Sequence, residues 1–234
     1  MAKHDETGCK QTDANYQSAN AYTRIRTMTE LETIYNQLFE KYGEYESNGE
    51  SWLSYSDKGT NHSYIPYYEK FFKHKKSQVD LLEIGVMTGG SMHVWQNYFD
   101  SYNLVGVDLN SGWHDQKTFT SDLDQDKNLV MHWNVDSRKP LASLVLGTQM
   151  FDFIIDDGDH SVLAQQDTFV NFYRHVRPGG TYFIEDVIGA TQQATLLKWL
   201  QGLLQGHDHS IDIHEGIKNG RQDDRIIAIT RGLL

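Results

Sequence analysis

The chain has 234 residues, 38% of them hydrophobic and 23% charged, and a formal net charge of −11. That is long enough to bury a sizeable core and too apolar for a disordered chain. The negative charge, with no basic stretch longer than Lys73-His74-Lys75-Lys76, excludes a polyanionic partner such as nucleic acid, and no apolar run approaches the ~20 residues of a membrane span.

The first stretch, to about residue 20, is polar and aperiodic and reads as an arm. It contains the single cysteine, Cys9, so no intrachain disulfide forms, and Met1 to Glu6 lack the apolar core of a signal peptide. Both features lead to the expectation of a cytoplasmic protein. From Arg24 to Tyr42 apolar residues recur at spacings of three and four, predicting an amphipathic helix. It is read as packing on its own core, forming a lid, or joining subunits of a homo-oligomer. Gly43 to Thr60 reads as a loop, giving an N-terminal unit over residues 1–60 and a second domain over 61–234.

Beyond it strands and helices alternate. Strands are predicted at Val79–Ile84, Leu104–Val107, Leu129–Trp133, Phe151–Ile155 and Thr181–Ile184, with helices at Ser91–Phe99, Val162–Val176 and Thr191–Leu204. Arg177-Pro178-Gly179-Gly180 reads as a turn. Ile211–His214 and Arg225–Thr230 read as two last strands around a turn at Asn219-Gly220. Continuous apolar strands separated by helices imply an α/β fold. Its sheet is seven-stranded and mostly parallel, with helices on both faces and an antiparallel last strand, and the N-terminal helix is an extension.

Ligands of such sheets bind beyond the carboxyl ends of the strands. Gly85 follows the first strand, Gly89 and Gly90 allow a tight bend and close approach of a ligand, and Ser91 is placed to cap the next helix. A dinucleotide site needs a glycine where Met87 stands, and a phosphate loop needs a lysine that is absent. Glu83 favours a ligand with a positive amino group and disfavours phosphate. S-adenosylmethionine (SAM) fits both conditions. Asp108, closing the second strand, is placed for ribose hydroxyls. Asp136, closing the third, suits either adenine or the N-cap of a helix starting near Ser137.

A second constellation is acidic. Asp156, Asp157, Asp159 and His160 follow the fourth strand, and Glu185-Asp186 the fifth. If these strands are neighbours, about 4.8 Å apart, Asp157, Glu185 and Asp186 converge and call for a hard cation, Mg²⁺ or else Ca²⁺ or Mn²⁺. Asp156 is counted with the cofactor-binding residues. His160 is within reach of the same point and is the candidate base, with Asp157 beside it in the catalytic group. His207, His209 and His214 lack a partner set for zinc.

Taken together, Asp57-Lys58-Gly59-Thr60-Asn61-His62-Ser63-Tyr64, Leu82-Glu83-Ile84-Gly85-Val86, Ile155-Asp156-Asp157-Gly158-Asp159-His160 and Val176 to Asp186 resemble the SAM methyltransferases that modify sugars on macrolide antibiotics. The resemblance implies a class I, Rossmann-like fold, dependence on Mg²⁺, and O-methylation of a small hydroxylated natural product. It implies Asp157, Glu185 and Asp186 as metal ligands and His160 as base, and it sets His62 and Tyr64 as a roof near the cofactor. The same domain is also similar to proteins labelled as cephalosporin hydroxylases or methoxylation factors, which implies the alternative of a SAM-binding accessory protein.

Overall fold

In the computed structural model, residues 27–43, 55–112, 120–216 and 220–233 are described. Helix α1 spans Glu30–Tyr42, later than the predicted start at Arg24, because Thr29 and Glu32 form a reciprocal capping box there. Helix α2, Tyr64–Phe72, was not predicted; Pro66 reads as a turn signal, yet it sits in the first helical turn, where a missing N–H costs nothing. The remaining elements are β1 (Val79–Ile84), α3 (Gly90–Tyr98), β2 (Tyr102–Val107), α4 (Thr120–Asp124), β3 (Leu129–His132), β4 (Phe151–Asp156), α5 (Val162–Phe172), β5 (Val176–Ile184), α6 (Gly189–Leu203), β6 (His209–Glu215) and β7 (Arg225–Arg231).

The seven strands form one sheet in the order β3-β2-β1-β4-β5-β7-β6. β7 runs antiparallel to both β5 and β6, and the other contacts are parallel. The expected class, Rossmann-like with an inverted last strand, is therefore the observed one. Side chains alternate between the faces. Leu81, Phe153, Ile155 and Phe183 pack with α1, α2 and α3, whereas Leu82, Ile84, Ile154 and Tyr182 pack with α5 and α6.

Some local readings need correction. The Arg177–Gly180 segment is no free turn: β5 already starts at Val176, and Gly179 at φ 80° accompanies a register shift against β4. The expected Val162–Val176 helix ends at Phe172 and tightens into a 3₁₀ turn over Tyr173–His175. The cap of α3 is Gly89 in the left-handed region, and Ser91 lies inside the helix. No regular helix starts at Ser137. Of the Asn219-Gly220 turn, Asn219 lies outside the described residues. Leu31 and Tyr35 of α1 are buried in the same cluster as residues of β1 and β4. No helix among the described residues is long and apolar enough to cross a membrane.

Candidate functional site

The chain moves outward from β1 to β3 and returns to β4 on the other side of β1. At such a switch point the loops diverge and leave a crevice. Here it is a cavity of about 420 Å³, within the range of small-molecule sites. Its walls include Gly85, Ser91, Asp108, Asp136, Asp157, His160 and Asp186 of the predicted set, together with Tyr55, Lys58 and Arg138. Glu83, Tyr64, Asp156 and Glu185 do not line it.

The glycines make room for protein as well as for a ligand. A Cβ on Gly85, at φ 83°, would fall 2.1 Å from the Asp157 carbonyl oxygen, so the chain leaving β1 can pass the chain leaving β4 there only without a side chain. A Cβ on Gly90 would fall 1.3 Å from the Tyr55 carbonyl oxygen. Gly90 thus admits the segment 55–58, which lies over the glycine turn and donates Lys58 to the site. Gly90→Ala is expected to push that segment away, to cost about 1–3 kcal/mol of stability, and to weaken S-adenosylhomocysteine (SAH) binding. Denaturant midpoints and calorimetry check it; an unchanged midpoint defeats the reading.

Asp108 holds the turn itself. Its Oδ2 accepts the Val86 and Met87 N–H groups at 2.8 and 2.9 Å, and its Oδ1 accepts from the Asn110 backbone and side chain. The carboxylate expected to meet ribose is committed first to shaping the loop. Asp136 is held by the Arg138 guanidinium, Oδ1 at 2.8 Å and Oδ2 at 3.0 Å, and Arg138 also reaches Asp159 at 2.8 Å. Arg138 thereby joins the β3 and β4 loops across one end of the cavity.

The predicted adjacency of β4 and β5 holds, with Asp156 opposite Ile184, so Asp157, Glu185 and Asp186 do gather. What the sequence reading missed is the cation among them. Lys58 Nζ lies 2.6 Å from Asp157 Oδ2, 2.7 Å from Glu185 Oε2 and 3.6 Å from Glu83 Oε1. These acids hold its amine well above the usual lysine range against the opposing effect of burial. Glu185 also accepts a very short bond from the Tyr68 hydroxyl. Burial, then the neighbouring Asp157 charge, pushes the Glu185 carboxyl well up. Glu83 accepts from Ser91 Oγ at 2.5 Å and Trp95 Nε1 at 2.9 Å, which explains the position of Ser91 inside α3.

On the cavity side the arrangement differs. One ligand atom each of Asp157, His160 and Asp186 lie within 4.8 Å of one another. Asp186 is in the left-handed region at φ 52° and accepts the Tyr64 hydroxyl at 2.7 Å. Burial and the Asp157 charge push its carboxyl up to about 6. Tyr64 is thus a support beneath Asp186, and His62 packs on its ring with Nε2 3.6 Å from Asp186 Oδ1. His160 is partly exposed, its Nε2 3.6 Å from Asp186 Oδ2 and its carbonyl held by Gln192 at 2.7 Å. Asp156 is fully enclosed against the Tyr182 hydroxyl at 3.1 Å, and burial pushes its carboxyl up to about 8. It is a buried support for the loop.

A doubly wound sheet, a glycine turn after β1 and acids at the ends of β4 and β5 thus frame the site. Residues 82–187 match the sequence profile of a family described as a methyltransferase domain. The chain is 30% identical over 137 residues to mycinamicin VI 2''-O-methyltransferase of Micromonospora griseorubida, a match covering 55% of this chain and 32% of that protein. It is 33% identical over 141 residues to 8-demethyl-8-(2-methoxy-alpha-L-rhamnosyl)-tetracenomycin-C 3'-O-methyltransferase of Streptomyces olivaceus, covering 56% of this chain and 34% of that one. The match spans about a third of the length of these relatives. Among solved structures, the MycE methyltransferase of the mycinamycin pathway, in complex with Mg and SAH, superposes with a TM-score of 0.61 at 21% identity, over 88% of this chain and 55% of that chain. That likeness establishes the fold. Over its sheet core the chain thus resembles the macrolide-sugar O-methyltransferases named from sequence alone.

Proposed function

We propose that this chain is a metal-dependent O-methyltransferase that acts on a hydroxyl of a sugar or other small natural product. The observation that carries the reading is the convergence of Asp157, His160 and Asp186 in one cavity with the glycine turn. The names of the relatives, O-methyltransferases of mycinamicin VI and of a rhamnosyl-tetracenomycin, support it.

SAM supplies a methyl group on a sulfonium, and the cation supplies Lewis acidity that lowers the pKa of a bound hydroxyl. The chain supplies position and charge. Gly85 to Ser91, Asp108 and Asp136, which line the cavity, would hold the nucleoside end. The cluster of acids offsets the positive charges of the cofactor and of the cation. The carboxylates of Asp157, Glu185 and Asp186 would hold a hard cation, Glu185 being paired with Lys58 in this structure. The imidazole of His160 would take the hydroxyl proton as the oxygen–methyl bond forms and the sulfur–methyl bond breaks to release SAH, and Asp186 Oδ2, 3.6 Å from Nε2, would compensate the imidazolium.

The test is methyl transfer from labelled SAM to a panel of glycosylated and hydroxylated compounds, run beside calorimetry with SAH. Label is expected in an ether product. SAH binding without transfer to any compound in the panel would support the accessory-protein alternative.

A further inference from the structure

Arg138, in the loop after β3, lines the cavity and serves two carboxylates from different loops. Its Nε and Nη2 donate to Asp136 Oδ1 and Oδ2, in its own loop, and its Nη1 donates to Asp159 Oδ2, in the loop after β4. Asp159 directly precedes His160. Its other oxygen, Oδ1, accepts the Ser161 N–H at 2.9 Å, and Ser161 in turn caps α5 by accepting from the Ala164 N–H. His160 is therefore flanked by two pinned residues, Ser161 held by α5 and Asp159 held by Arg138. Neither loop depends on Arg138 to keep its course. Asn171 of α5 donates to the Ser137 and Lys139 carbonyls at 2.8 and 2.9 Å, and Ser137 Oγ lies 3.0 Å from Thr168 Oγ1. The His160 carbonyl is held by Gln192. The Arg138 side chain is 40% exposed, and ion pairs so placed add little stability. What a planar guanidinium fork adds is direction, since it fixes both carboxylates at once.

We propose that Arg138 is a positioning residue for the base: it ties Asp159, and with it His160, to the cavity wall where Asp136 stands, so that the imidazole keeps its place relative to the bound cofactor. This rests on the methyl-transfer reading, with His160 as base, given under Proposed function, and it leaves Asp157, Glu185 and Asp186 as the holders of the cation. Without Arg138 the Asp159 carboxylate turns to solvent. The segment that carries His160 then keeps its anchors at Gln192 and Ser161 and loses the one from the Asp136 side. Misplacement of a reacting group by about 1 Å costs on the order of 10²-fold in rate. The loss falls on turnover, because the glycine turn and Asp108 are held by other bonds.

The experiment is a double-mutant cycle on the full chain, with kcat and the KM for SAM measured on an acceptor that the wild-type chain methylates, calorimetry for SAH, and circular dichroism as a check on folding. Arg138→Ala is expected to lower kcat about 10-fold or more while the KM for SAM and the affinity for SAH stay within about three-fold. Asp159→Asn, which removes the same link and leaves Arg138 on Asp136, is expected to do likewise. The double variant is expected to lose no more than the worse single one, because both remove one interaction. If Arg138→Ala does not fold, Asp159→Asn alone decides. Native kcat in either folded variant, or losses that multiply in the double variant, would overturn the proposal. So would a fall in SAH affinity as large as the fall in kcat, which would place Arg138 in the cofactor site alone. A wild-type chain that binds SAH and methylates no acceptor would overturn the methyl-transfer reading itself, and this proposal with it.

Discussion

Replacing His160 with alanine is expected to lower the turnover of methyl transfer about 10²–10⁴-fold, the usual contribution of a positioned general base, while SAH affinity stays near that of the native chain. The separation follows from the geometry. The His160 imidazole stands on the Asp186 side of the cavity, and the glycine turn and Asp108 form another wall. The side chain is partly exposed and holds no other element in place, and its backbone is fixed by Gln192 irrespective of the ring. Stability should therefore move little. Rate measurements across pH, with calorimetry for SAH, check the claim. A variant with native turnover would remove His160 from the mechanism, and one that loses SAH binding as well would make it part of the cofactor site.

Stripping divalent metal with EDTA is expected to reduce activity on the order of 10²–10³-fold, since Lewis-acid stabilisation is worth several kcal/mol, and Mg²⁺ is expected to restore it. The identity of the ion matters because His160 sits in the same group as the two carboxylates. Mg²⁺ selects oxygen and leaves the imidazole to take a proton. Zn²⁺ accepts imidazole nitrogen readily and would draw His160 into its coordination shell. Zn²⁺ should thus bind and fail to restore turnover. Activity that survives EDTA, or full rescue by Zn²⁺, would contradict the proposed division of labour.

The sheet was legible because its inner strands are mostly apolar runs ending in Gly85, Asp108 or the acid pairs, and such runs have few alternatives. The helix at Tyr64 was hidden by Pro66, although Tyr64, Tyr68 and Phe72 recur at a spacing of four and are all buried. That spacing is the signal that could have found it. Lys58 stands in the Asp57 to Tyr64 motif, but nothing local ties its ammonium to the acids: its hydrogen-bond partners Asp157 and Glu185 are 99 and 127 residues away. Arg138 was missed for the same reason, since what distinguishes it is the meeting of Asp136 with Asp159 across the cavity. The acids themselves were placed together from sequence because each stands at a strand end. Which of them face a ligand was not, because that depends on the cation beneath.

The reach of Lys58 also bears on the order in which the molecule is made. Contacts between residues far apart in sequence close large loops and form slowly. A chain that has joined β1 to β2 already owns its glycine turn. It lacks Asp157 until β4 has inserted beside β1, and Glu185 until β5 has followed. The ammonium finds its charge partners only when those strands are home. The acid cluster is thus complete only when β1, β4 and β5 are side by side.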